Sequence, residues 1–135
     1  MRRIIVLLAL LAGACSAHRG LPDLRGPSAR MLESHGGEYT VSWRSEPSPL
    51  PLDESFDLVV QVLRKDQHPA DLSLAVDAVM PLHQHGMNVA PDIHALGGGR
   101  FRVEGMLFHM AGDWVIHFDI TEGALTERAQ VAVQP

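Results

Sequence analysis

The chain has 135 residues, a formal net charge of −5 and one cysteine. That length is one domain, and the acidic balance with no basic stripe argues against nucleic acid as a partner. A lone Cys15 excludes a disulfide framework, a thiolate metal site and a cysteine nucleophile in the folded part.

The first residues read as a targeting segment. Arg2 and Arg3 form a positive n-region, Ile4 to Leu11 an apolar core, and Ala12-Gly13-Ala14-Cys15 resembles a bacterial lipobox. Residues 1–14 are therefore expected to be a signal peptide, with Cys15 as the lipidated N-terminus. The alternative is an ordinary signal peptide cut after Ala14 or Ala17. The apolar run is too short to span a membrane comfortably, so membrane contact is expected through the N-terminal lipid only. Ser16 carries no inner-membrane retention signal, which points to the periplasmic side of the outer membrane. Cleavage before Cys15 leaves 121 residues with nine basic and sixteen acidic side chains. Residues 15–36 are polar and rich in Gly, Pro, Arg and Ser, and read as a flexible tether. Arg30-Met31-Leu32 could add one short turn or strand to it.

Residues 37–135 read as short strands separated by turn signals. Glu38 to Arg44 alternates, with Tyr39, Val41 and Trp43 on one face, and the Pro47 to Pro51 run ends it. Ser55 to Arg64 is the next strand, with Phe56, Leu58, Val60 and Val62 on one side. Leu72 to Met80 sets Leu72, Leu74, Val76 and Ala78 against Ser73, Ala75, Asp77 and Val79. Phe101 to Met110, Asp113 to Thr121 and Glu127 to Val133 complete the pattern. No useful helical period appears. The expected fold is all-β, an immunoglobulin-like antiparallel β-sandwich of about seven strands.

Two turns carry further expectations. Ala111-Gly112 is a plausible two-residue hairpin turn, which would set His109 opposite Trp114 and Met106 opposite His117. Met106 would then share an outer face with Arg102 and Glu104. Gly97-Gly98-Gly99 would fold Asp92 to Leu96 back on Phe101 to Gly105. Together these turns bring the His83–Met87 loop and the His109-Met110 tip to one end of the sandwich.

That end concentrates the chemistry. His83-Gln84-His85 is a His-x-His pair, and in an extended segment both rings face one side. Met80 and Met87 flank it, and His109 and Met110 face it. Imidazole suits copper and zinc, while thioether selects copper(I). His83, His85, Met87 and His109 are the candidate metal ligands, with Met80 and Met110 as alternates. Copper is the expected ion and zinc the weaker candidate. No nucleophile motif, H-E-x-x-H or phosphate loop is present, so an enzyme is not expected.

Three segments carry a family resemblance: Met80-Pro81-Leu82-His83-Gln84-His85-Gly86-Met87, Gly99 to Gly105, and Phe108 to Trp114. The chain resembles the YtkA-like domain family, related to FixH-type proteins, over about Gly37 to Val133. The resemblance implies a small immunoglobulin-like sandwich, exported or lipid-anchored, and FixH-type relatives are linked to assembly of copper-containing oxidases. The function expected on this basis is an envelope-anchored, non-catalytic copper carrier, chaperone or buffer. Its partner would be a copper donor or acceptor protein or another envelope protein. The alternative is a metal-free protein-binding module of the cell envelope, or a structural sandwich in which the His rings only hold the loop.

Overall fold

Alternating apolar side chains give each strand a dry face, and two such sheets bury those faces against each other. The computed structural model describes Leu24, residues 27–68 and residues 71–135. The predicted leader, Cys15 and most of the tether lie outside these residues. Among them run nine strands: β1 (Arg30–Glu33), β2 (Tyr39–Glu46), β3 (Ser55–Arg64), β4 (Ser73–Met80), β5 (His85–Gly86), β6 (Asp92–Gly97), β7 (Arg100–Leu107), β8 (Trp114–Glu122) and β9 (Leu125–Val133). One sheet has the order β1-β2-β3-β7-β6 and the other β5-β4-β8-β9, with every pairing antiparallel. This is an all-β, immunoglobulin-like sandwich, with nine strands where about seven are expected from sequence. The extra ones are short: β1 falls at Arg30-Met31-Leu32, inside the stretch read as tether, and β5 has only two residues.

The expected dry faces lie in the core. Tyr39, Val41 and Trp43 of β2, Phe56, Leu58, Val60 and Val62 of β3, and Val76 and Ala78 of β4 are all buried. Across the interface, β8 contributes Trp114, Ile116, Phe118 and Ile120. The predicted β6–β7 hairpin forms, with Ile93 opposite Val103 and His94 opposite Arg102.

The predicted Ala111-Gly112 hairpin does not form. Both neighbours of β7 are already taken, by β3 and β6, and both neighbours of β8 by β4 and β9. The connection from Phe108 to Asp113 therefore crosses from one sheet to the other. Met106 is also not an outer-face residue but a fully buried core residue. A bulge explains the reversal. Gly105 takes φ +85°, the β3–β7 register shifts between Phe56 and Leu58, and the Gly105 N–H donates to Asp57 Oδ1 at 3.2 Å. One extra residue in β7 reverses the parity of the residues beyond it, turning Met106 and Phe108 inward.

At the end away from the predicted site, the two sheets are clasped by polar contacts. Ser34 donates through its hydroxyl to Glu127 Oε2 at 2.5 Å, and the His35 N–H donates to the Arg128 carbonyl on β9 at 2.8 Å. Nearby, the Tyr39 hydroxyl donates to Glu122 Oε2 at 2.9 Å, and the Arg64 guanidinium pairs with the same carboxylate. Burial and the adjacent Glu122 carboxylate push the Tyr39 phenol up to about 12 from its ordinary 10.0. A raised folded value means this contribution to stability is intact below pH 10 and is lost as pH rises towards 12. Tyr39 is the one tyrosine of the chain, so absorbance near 295 nm follows it alone. The native titration is expected with a midpoint near 12, and Glu122→Gln is expected to move it part of the way back. A native midpoint at the ordinary value would refute the buried pairing.

Candidate functional site

The turn after β4, the short β5 and the β7–β8 crossover meet at one end of the sandwich. Gly112, at φ +129°, brings the crossover so close to β4 that a Cβ there would lie 3.0 Å from Met80 Cε. A side chain at this position would therefore crowd Met80. The loop ahead of β3 joins the same end, where the Asp53 N–H donates to the Phe108 carbonyl at 2.9 Å.

A ladder of rings runs from the core to the surface here. Phe56 packs on Phe108 at 4.9 Å between centroids, and Phe108 stacks on Trp114 at 4.8 Å. His109 meets Trp114 edge-on at 5.5 Å and His85 meets it edge-on at 6.1 Å. His85 lies 5.3 Å from His109 and 5.8 Å from His83. The Trp114 indole N–H donates to the Met110 carbonyl at 2.9 Å, pinning the crossover. The two loops that sequence places together are thus neighbours, even though one of the two turns invoked to join them does not form.

The individual candidates differ in what surrounds them. Met80 is 1% exposed and belongs to the core. Met87 is half-buried and packs against that core. Met110 is 39% exposed. The His85 Nδ1 lies 3.1 Å from the Gly86 carbonyl oxygen, so that nitrogen is spent on the loop's own backbone. The His109 Nδ1 is buried without a hydrogen-bond partner among the described residues. His94 lies elsewhere, 3.5 Å from Glu104 on the outer face of the first sheet.

The copper-carrier expectation is overturned. Among the described residues no group of three His, Cys, Asp or Glu side chains is placed to hold a metal ion. His85 and His109 pack edge-on against Trp114, and His83 meets only His85. Composition and proximity brought these residues together in the sequence argument, but ligation also needs convergent lone pairs.

Sequence reasoning missed the apolar character of the same end. Leu82, in the turn after Met80, is 83% exposed, and Leu52, in the loop ahead of β3, is 41% exposed. In the turn that carries Leu82, an open groove of about 300 Å³ is lined by Val79, Met80, Pro81, Gln84, His85 and Gly86. The signal was present in the sequence as a leucine in each of two Pro-containing loops.

The outer face of the second sheet is polar. Asp77 lies opposite His117, and Arg128 reaches Asp119 at 2.6 Å. Burial, aided by Arg128, holds the His117 imidazole below its ordinary range, and the hydrogen bond from Arg128 holds the Asp119 carboxyl below its own. These are pairs on a half-exposed sheet face.

No protein-family model matches the chain, and no curated protein matches it. Among solved structures, it is similar to a DUF4426 family protein from Pseudomonas aeruginosa PAO1, with a TM-score of 0.57 and 10% sequence identity. The likeness covers 80% of this chain and 94% of that one. At that identity the likeness is one of fold alone.

Proposed function

We propose that this chain is a non-catalytic, metal-independent protein-binding module of the cell envelope. The observation that carries the reading is that three adjoining loops at one end of the sandwich each carry an exposed apolar side chain. Leu52, Leu82 and Met110 are solvent-exposed there, and the turn that carries Leu82 borders an apolar groove walled by Pro81, Met80 and His85. Apolar surface gathered in this way and bordered by polar groups is the composition of a protein interface. Single exposed leucines are ordinary, but three exposed apolar side chains on adjoining loops are not. The apolar run of Ile4 to Leu11 ahead of Cys15 supports export and a lipid anchor, and so a partner in the envelope.

Site-directed photocrosslinking in exporting cells tests this. A crosslinker at Leu82 or Met110 is expected to give one discrete adduct, unchanged by a copper chelator. The same probe at Leu125, exposed at the start of β9 at the far end, is expected to give none. Equal labelling from both ends, or adducts that disappear with the chelator, would refute the proposal. Leu82→Asp is expected to abolish the Met110 adduct while leaving the thermal midpoint unchanged, because an exposed side chain contributes little to stability.

A further inference from the structure

β6 is the last strand of the five-stranded sheet, so β7 lies on one side of it and no strand on the other. The hydrogen bonds around β7 fix which β6 groups are left over. The Val62 N–H donates to the Gly99 carbonyl at 2.7 Å, and Val60 lies opposite Phe101 in the same register. Bonded positions alternate along an antiparallel pair, so Phe101 and Val103 turn their main-chain groups towards β3. Arg102 and Glu104 turn theirs towards β6, where they face His94 and Asp92. Ile93 and Ala95 therefore turn N–H and C=O away from β7. Among the described residues those groups have no main-chain partner.

The side chains of β6 are unusually open. Ile93 packs against the core, while Ala95, on the same face, is exposed. On the outer face His94 lies 3.5 Å from Glu104, and Asp92 shares that face.

We propose that two copies of this chain pair through β6, antiparallel about a two-fold axis at His94. In that register Ile93 of each copy faces Ala95 of the other, and every outward N–H meets an outward C=O. A pairing centred on Ile93 would set Ala95 against Pro91, which has no N–H to give. One centred on Ala95 would set Ile93 against Gly97, which stands at φ +84°, outside extended backbone. The His94 register also lays Ile93 beside the exposed Ala95 of the second copy. On the outer face it places the two imidazoles together, with Asp92 of each copy diagonal to His94 of the other and Glu104 alongside. Imidazoles set among carboxylates are complementary in charge. No foreign sequence is needed to complete the match. The pairing uses none of the exposed residues of the protein-binding end.

Sedimentation velocity of the full chain is expected to show a monomer passing to a dimer as concentration rises to about 1 mM, because so small an interface is weak. Ala95→Pro is expected to abolish the dimer with the thermal midpoint unchanged, since proline is tolerated where a last strand's N–H faces solvent. His94→Lys sets like charges opposite each other and is expected to give the same loss. It keeps the test decisive should the proline disturb the fold. Residues facing at the axis of this register have Cα atoms about 4.5 Å apart, within disulfide range. Oxidation of His94→Cys with diamide is therefore expected to link residue 94 of one copy to residue 94 of the other, identified by mass spectrometry of the joined peptide. Wild type controls for Cys15, and Ile93→Cys is expected to give no such link. A monomer at every concentration, a dimer that survives both Ala95→Pro and His94→Lys, or linkage through Ile93→Cys in place of His94→Cys would overturn the proposal.

Discussion

Trp114→Ala is expected to cost about 3–5 kcal/mol of folding free energy, the range for truncating a buried aromatic. Trp114 is fully buried, stacks on Phe108 and receives the edges of His85 and His109. Its indole also holds the crossover by donating to the Met110 carbonyl. Alanine therefore removes core area, leaves a cavity under the imidazoles and frees the loop from its tie. Urea unfolding followed by far-ultraviolet circular dichroism measures the loss. Trp114→Phe keeps part of the stacking and loses the hydrogen bond, so it is expected to fall between wild type and alanine. A cost below about 1 kcal/mol for Trp114→Ala, the level of an ordinary substitution, would show that the ring ladder does not support this end.

Gly105→Val is expected to destabilise by about 2 kcal/mol or more. An L residue forced into left-handed backbone costs about 1–2 kcal/mol, and a β-branched side chain is the least suited to it. At Gly105 the backbone stands at φ +85°. Its N–H is held by Asp57, whose carboxylate also receives Arg102 at 2.7 Å. The mutant has two routes: it keeps the bulge under strain, or it flattens β7 and turns Met106 towards solvent. Both lower the denaturation midpoint, and only the second makes Met106 oxidisable by peroxide in the native state. A midpoint equal to wild type would mean that the bulge is not needed.

The same residue shows where sequence reading succeeds and where it stops. Period-two alternation in β2, β3 and β4 encodes which side chains are dry, and the register is fixed with it because a slip would expose the whole set. In β7 the rule holds to Val103 and fails afterwards, because an inserted residue is invisible to a count of two. The β7–β8 connection escapes sequence for a different reason. Ala111-Gly112 looks like a hairpin locally, but which strands pair depends on β3, β6, β4 and β9, and no short window contains them. The imidazole cluster is legible as a place, since loops at one end of a sandwich meet. The orientation of the rings is not legible, because packing on Trp114 sets it for His85 and His109. Met80 shares the parity of Leu74, Val76 and Ala78, so its core position is legible too, although its thioether invites another role. The leader and the lipid anchor rest on sequence alone.

The clasp between Ser34, His35 and β9 has a consequence for how the protein behaves when concentrated. β9 spans nine residues and is hydrogen-bonded to a neighbouring strand only on its β8 side. An uncovered edge of that length is a template for another chain's strand, and hence for aggregation. The His35 N–H occupies the Arg128 carbonyl, and the segment carrying Ser34 holds Glu127 alongside. One main-chain contact and one hydroxyl thus interrupt the edge near its Leu125 end. The clasp makes β9 a poor partner for a second molecule, a safeguard against self-association that costs the sandwich only a short turn.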